Sequence, residues 1–470
     1  MSSRLRSRLF DLVLMWVVAS AAARAADFPT LFKERVKSVV AVEFFTESEL
    51  DRRPTVTNAF VVDTNGTLVL PSGVIDGRVQ PSQLKDFRVY LPGKPATEFA
   101  RAVYLGQDPL SGWHFVRVEE KLRAQLTPVT AFAATSPAVA EPAMADDYWG
   151  IGLRRKDEDF MPYFLSGKIS NVQSLPERTA VALAEVAAPG LPVFNKEGAL
   201  AGIAVGGFGS TYLQFSRNER GSPLMLMNAE ESRVFQLTGD VLPWMSRSPA
   251  RINGRPIAWL GAYGLQPMDP DVAAFLKLGN QSGCVVSEVL ADSPAQAAGM
   301  KDRDIIVAVD GLPVPRFTPD QVAVSYIERT ILKRNPGDKF TLTVLRGSER
   351  VELVATLADQ PKLQREAERK YFEKLGVTVR EFVYGDGVLR RIKPADQHGV
   401  IVNFVKNNSP VGTAGLRPED WVLEVDGVEV KTYVEAVARL AAIEEDATRA
   451  DFVLLTSRKN ATAVLRVKLK

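Results

Sequence analysis

Residues 283–311 and 399–427 are two copies of one stretch, held at a constant offset of 116 residues and identical at 11 of 29 aligned positions. The first copy reads GCVVSEVLADSPAQAAGMKDRDIIVAVDG and the second GVIVNFVKNNSPVGTAGLRPEDWVLEVDG. A helix signal, a strand and a turn repeated at one spacing are the mark of a duplicated structural unit, so the C-terminal half must hold two copies of one small fold.

The shared letters have mechanical reasons. Ser293-Pro294 and Ser409-Pro410 predict helix starts: the serine hydroxyl accepts from an orphan backbone N–H, and proline suits the first helical position. Gly299 and Gly415 end each short helix, where a left-handed residue is easiest for glycine. An aspartate (Asp304, Asp420) and an apolar strand follow. Each copy then closes on an Asp-Gly turn, Asp310-Gly311 and Asp426-Gly427, which supplies the positive backbone angles of a tight hairpin.

This pattern resembles the PDZ domain in the form carried by bacterial exported proteases. The resemblance implies a small β-sandwich with short helices. It also implies a glycine-containing loop whose N–H groups receive a peptide's terminal carboxylate while the peptide adds as a strand to the sheet edge. The matching loops are Trp259-Leu260-Gly261-Ala262 and Lys374-Leu375-Gly376-Val377. The long helix walling the groove is expected over 318–333, with Val324, Ile327 and Ile331 at helical spacing. Its second copy is expected near Tyr433–Ala442, with Val434, Val437 and Leu440. The same side chains suit a role in the module core. The charged segment 361–374 (PKLQREAERKYFEK) is expected as a solvated helix joining the two modules.

Residues 36–208 read instead as short strands, among them Val39–Phe45, Asn58–Asp63, Thr67–Leu70, Phe87–Leu91, Trp113–Glu119, Leu165–Gln173 and Ala199–Gly206, parted by turns such as 63–66 and 195–198. That spacing predicts a barrel architecture, with the Ala/Pro/Ser-rich stretch 134–146 as the connection between two halves. Four segments, in order, resemble the HtrA/Deg family of trypsin-like serine proteases: NAFVVDTNGTLVLPSGVI (58–75), DPLSGWHFVRV (108–118), LSGKIS (165–170) and AAPGLPVFNKEGALAGIAV (187–205). The fold class expected is therefore mainly β: a trypsin-like double β-barrel over 26–248, then PDZ modules over 249–360 and 361–470.

The departures from the family pattern carry the functional argument. The family's catalytic histidine falls on Gly73, its aspartate on Gly112 and its nucleophilic serine on Pro189. Glycine supplies neither imidazole nor carboxylate, and proline supplies no Oγ. Proline also lacks the N–H that the family uses in its oxyanion hole. Loss of one such donor costs roughly 3–4 kcal/mol of transition-state stabilisation. The two histidines, His114 and His398, lie elsewhere in the pattern, and a Ser166/Lys168 dyad on one strand face is the remaining catalytic alternative.

Composition bounds the rest. The formal charge is +2 with no basic or acidic block, which gives nucleic acid binding no electrostatic support. Two histidines and one cysteine make a zinc site a poor fit, and no cofactor is expected. Cys284 reads as a small buried hydrophobe. At the N-terminus, Arg4, Arg6 and Arg8 precede an apolar run from Leu12 to Ala23 and an Ala23-Arg24-Ala25 cleavage site. This is the pattern of a secretory signal peptide over 1–25, with an uncleaved anchor as the alternative. Phe28 and Phe32 match aromatic residues by which the family packs into trimers, and equally suit anchoring onto the chain's own barrel.

The expectation is an exported or periplasmic pseudoprotease, without a stable membrane span once cleaved. It would bind exported or unfolded proteins and C-terminal peptides as a scaffold, adaptor or chaperone, as a trimer-based homo-oligomer or mixed with active homologues. Its rivals are an endopeptidase with relocated catalytic groups and a purely structural subunit.

Overall fold

The computed structural model describes residues 27–133, 142–174, 176–182, 184–208, 214–217, 223–226, 232–254, 256–459 and 461–469. The signal-peptide pattern and most of the 134–146 connection lie outside these residues. Among the described residues, no helix is long and apolar enough to cross a membrane.

The first six strands are β1 (Val39–Glu47), β2 (Arg52–Val61), β3 (Thr67–Leu70), β4 (Leu84–Tyr90), β5 (Ala100–Gln107) and β6 (His114–Val118). They close into a barrel in the order β1-β2-β3-β6-β5-β4. A second set comprises β7 (Asp147–Leu153), β8 (Pro162–Ser174), β9 (Arg178–Ala182), β10 (Pro192–Asn195) and β11 (Leu200–Phe208). A separate hairpin of β12 (Gln214–Arg217) and β13 (Pro223–Leu226) follows, then β14 (Ser232–Leu237). The second barrel runs β7-β8-β9-β14-β11-β10, the same winding as the first. Apolar residues fill each barrel, and one cluster joins them through Phe60, Trp113, Trp149, Phe194 and Trp244. The helix Phe28–Arg35 lies on the second barrel. Phe28 packs edge-on against Trp149 and Phe164, while Arg35 stacks on Phe132 at 4.0 Å.

Both C-terminal modules repeat the same devices bond for bond. Ser293 Oγ accepts from the Gln296 N–H and Ser409 Oγ from the Gly412 N–H, so both serines cap their helices as expected. Gly299 and Gly415 have φ of 79° and 93°. Asp304 and Asp420, each 1% exposed, receive bidentate guanidinium bonds from Arg346 and Arg458. Asp310 and Asp426 each accept from a strand N–H, of Thr341 and of Val453. The long helices are Val322–Leu332 and Tyr433–Glu445.

One expectation is overturned. Segment 361–374 is no solvated helix. After a single 3-10 turn at Gln364–Glu366 it forms the strand Arg369–Phe372, which pairs antiparallel with Val377–Glu381. Ala367 and Phe372 are completely buried. Lys, Arg and Glu favour helix locally, but cross-strand pairing and the burial of Phe372 outweigh a propensity of a few tenths of a kcal/mol per residue.

Candidate functional site

Gly73, Gly112 and Pro189, the positions that the sequence resemblance sets against a catalytic triad, lie on neighbouring loops. Gly73 follows the end of β3, Gly112 precedes β6, and Pro189 lies in the loop between β9 and β10. A Cβ placed on Gly112 would lie 3.0 Å from Ser72 Cβ, and one placed on Gly190 would lie 2.2 Å from Pro71 Cγ. Loops from the two barrels thus touch at this point, and Asn58 Nδ2 reaches the Pro189 carbonyl at 3.4 Å.

Gly73, Gly112 and Pro189 themselves carry no imidazole, carboxylate or hydroxyl. Around Pro189, the N–H of Ala188 donates to Ile151 O, that of Gly190 to Ala204 O, and that of Leu191 to Ala188 O. Gly73 and Gly112 have φ of 79° and 71°, in the left-handed region that glycine enters most easily. Asp108, the nearby carboxylate, is fully buried and engaged by Arg247 Nε and by Ser111.

The candidate substitutes are occupied elsewhere. Lys168 pairs with Asp147 at 2.7 Å and donates to the Ala145 carbonyl. His398 lies in the second module, bonded to the Asp396 carbonyl. Cys284 is buried, and burial together with Glu328 pushes its thiol up to about 12.

His114 is 2% exposed; its Nδ1 lies 2.9 Å from Tyr104 Oη, and its Nε2 has no partner among the described residues. Burial, with Arg365 nearby, holds its pKa down to about 4 from 6.5. Between these values the unfolded chain takes up a proton that the folded ring refuses, so stability falls as pH drops from 6.5 toward 4. The loss is about 3 kcal/mol when complete. His114→Gln should flatten that acid limb in denaturant titrations at pH 7, 5.5 and 4, whereas an unchanged limb would assign it to carboxylates.

The two glycine loops are built alike. In the first module Ala295 N–H donates to Leu260 O and Leu290 N–H to Gly261 O; in the second Val411 N–H donates to Leu375 O and Lys406 N–H to Gly376 O. Gly261 and Gly376 have φ of 85° and 75°. A Cβ on either would fall 2.1 or 2.2 Å from Cβ of the helix-capping serine, Ser293 or Ser409. The helix start therefore presses on the loop, a contact that the repeat alone does not reveal. Leu260, Leu375 and Val377 are buried, Trp259 and Ala262 are half-buried, and Lys374 is exposed.

The long helices hold the expected groove side chains in different settings. Val324 and Ile327 are buried in the first module's core beside Leu260 and Phe340. Val434 is 71% exposed, and Val437 packs at the edge of the second core.

The modules differ at the edge next to the loop. In the first, Ala262–Tyr263 and Gln266–Pro267 pair on one side with 288–289 and 284–285, and no strand occupies their other side among the described residues. The Gly261 N–H makes no backbone hydrogen bond among the described residues. In the second, Val377–Glu381 is paired on both sides, by Val400–Val405 and by Arg369–Phe372. A largely apolar cavity of about 320 Å³ flanks the first loop, lined by Trp259, Tyr263, Leu290, Tyr384, Val388 and Leu389. Trp259 meets Tyr384 edge to face at 5.6 Å, and Tyr384 Oη donates to Ala291 O.

Two closed six-stranded barrels followed by PDZ-like sheets define the class: a PDZ-bearing protein with the fold of the HtrA proteases. The PDZ domain family matches residues 266–357. A probable periplasmic serine endoprotease DegP-like of Brucella suis is 30% identical over 200 residues, 42% of this chain and 37% of that protein. The DegP-like protein of Chlamydia pneumoniae is 26% identical over 204 residues, 43% of this chain and 39% of that protein. Among solved structures, a variant of the HtrA-type protease AlgW with tripeptide has a TM-score of 0.50 at 18% identity, covering 71% of this chain and 98% of that one. The chain is similar to these HtrA/DegP proteins over the matched segments and carries a PDZ domain. Its matches span less than two fifths of the length of these curated relatives.

Proposed function

We propose that this chain is an exported HtrA-like pseudoprotease whose activity is binding. Residues 26–248 serve as a catalytically silent double barrel, and 249–360 and 361–470 as PDZ modules. The first module captures extended or C-terminal segments of exported or unfolded proteins by strand addition, and the chain acts as scaffold, adaptor or chaperone in an oligomer with itself or with active homologues. The observation that carries the reading is the open edge beginning at Ala262, beside a loop whose glycine N–H is not engaged by backbone. The absence of an imidazole, carboxylate or hydroxyl at Gly73, Gly112 and Pro189 supports the silent barrel.

The test is a C-terminal peptide array followed by titration of the best binder in solution. Gly261→Val places branched carbons against Ser293 and alters the loop. It should weaken binding at least about tenfold, the equivalent of 1.4 kcal/mol. An array with no hits beside a stable oligomer would replace this reading with a structural subunit.

A further inference from the structure

Among the described residues, the second module has a strand at the edge where a peptide would add, and the first has none there. Arg369–Phe372 runs antiparallel to Val377–Glu381, in the register Arg369 with Arg380 through Phe372 with Val377. It runs toward the glycine loop and reaches it, as an added peptide's C-terminus would. The Gly376 N–H donates to the Phe372 carbonyl at 2.8 Å, so a loop amide suited to a terminal carboxylate already holds an oxygen of this chain. Phe372 is completely buried in the module core with Leu375, Val377 and Leu440. At the loop, the Lys374 N–H is tied to Glu444 at the end of the helix Tyr433–Glu445. Among the described residues the first module shows no counterpart, and the strand before its loop, Ala258–Trp259, pairs away with Ala358–Asp359. Arg369 Nη2 donates to the Gln364 carbonyl, and its Nε is buried without a partner among the described residues.

We propose that Arg369–Phe372 is an intramolecular ligand of the second module, occupying its peptide edge and glycine loop so that the resting chain offers that edge to no outside peptide. This rests on the reading that the modules take extended peptides. Capture then falls to the first module, and the second becomes available only when its own strand leaves.

The test is hydrogen exchange on the full chain, with the hexapeptide Ala-Glu-Arg-Lys-Tyr-Phe, which copies residues 367–372 with a free carboxylate, as probe. A ligand-like strand opens without unfolding its module, so amides of 369–372 should exchange at least about tenfold faster than those of 400–405. Exchange of both strands at one rate would make the strand part of the fold and overturn the proposal. The hexapeptide should leave 377–381 unchanged in the native chain, and should protect 377–381 and raise the thermal midpoint in Phe372→Ala. Protection of 377–381 in the native chain would overturn it. So would failure to protect the variant while 400–405 stays protected. If the variant does not fold, the exchange comparison in the native chain decides alone. If array peptides never protect 262–267 while 369–372 opens early, peptide capture by the first module fails and the self-occupied edge stands.

Discussion

Purified, this chain will degrade an unfolded protein such as casein about 10⁶-fold more slowly than an active DegP-like relative, and a fluorophosphonate will label none of its serines. The size follows from how the triad works: nucleophile, base and orienting carboxylate act as one unit, and loss of the nucleophile or base alone costs about as much as loss of all three. On the proposed reading, Gly73, Gly112 and Pro189 stand in the places of all three. Neighbours do not compensate, because Asp108 is bonded to Arg247 and Ser111, and His114 faces Tyr104. Pro189→Ser restores a hydroxyl and an N–H but no base, so its rate should stay at the background. A serine whose labelling disappears on its own substitution would sink the prediction and establish a relocated active site.

The second large effect lies in the second module. Arg380 and Asp386 are 1% and 0% exposed and form a bidentate pair at 2.6 and 2.8 Å. Asp386 also accepts from the Val383 N–H at the start of the helix Tyr384–Arg390. Replacing Arg380 by Met leaves the buried carboxylate without its principal cation, and should cost about 3–5 kcal/mol. Arg380→Met with Asp386→Leu removes both charges and should recover most of that loss, apart from about 1 kcal/mol for the forfeited cap. Exchange of the 400–405 amides under native conditions reads the module's own stability, independently of the barrels. Equal losses in the single and double variants would show that packing, not charge, governs the site.

Much of this architecture was legible in the letters. The serine-proline and Asp-Gly pairs marked caps and turns because each has a local cause, and local causes survive folding. The barrel strands were legible through turn spacing, as with Leu165–Gln173 inside the observed Pro162–Ser174. Segment 361–374 was misread because its partner, Val377–Glu381, is a tertiary fact that composition does not carry. The groove side chains were legible only as two alternatives. Helical spacing placed Val324 and Ile327 on one face, but only packing decides whether that face meets a ligand or the core. The meeting of Gly73, Gly112 and Pro189 was legible only through the family resemblance, since nothing local links three loops.

Gly73, Gly112 and Pro189 sit on three separate loops. On the proposed reading, a histidine or aspartate arriving at one of them by a single mutation gains no turnover, since its partners lie in the other loops. Each such step stands without reward until all three are in place. Cutting would then return only by three coordinated changes, one in each loop.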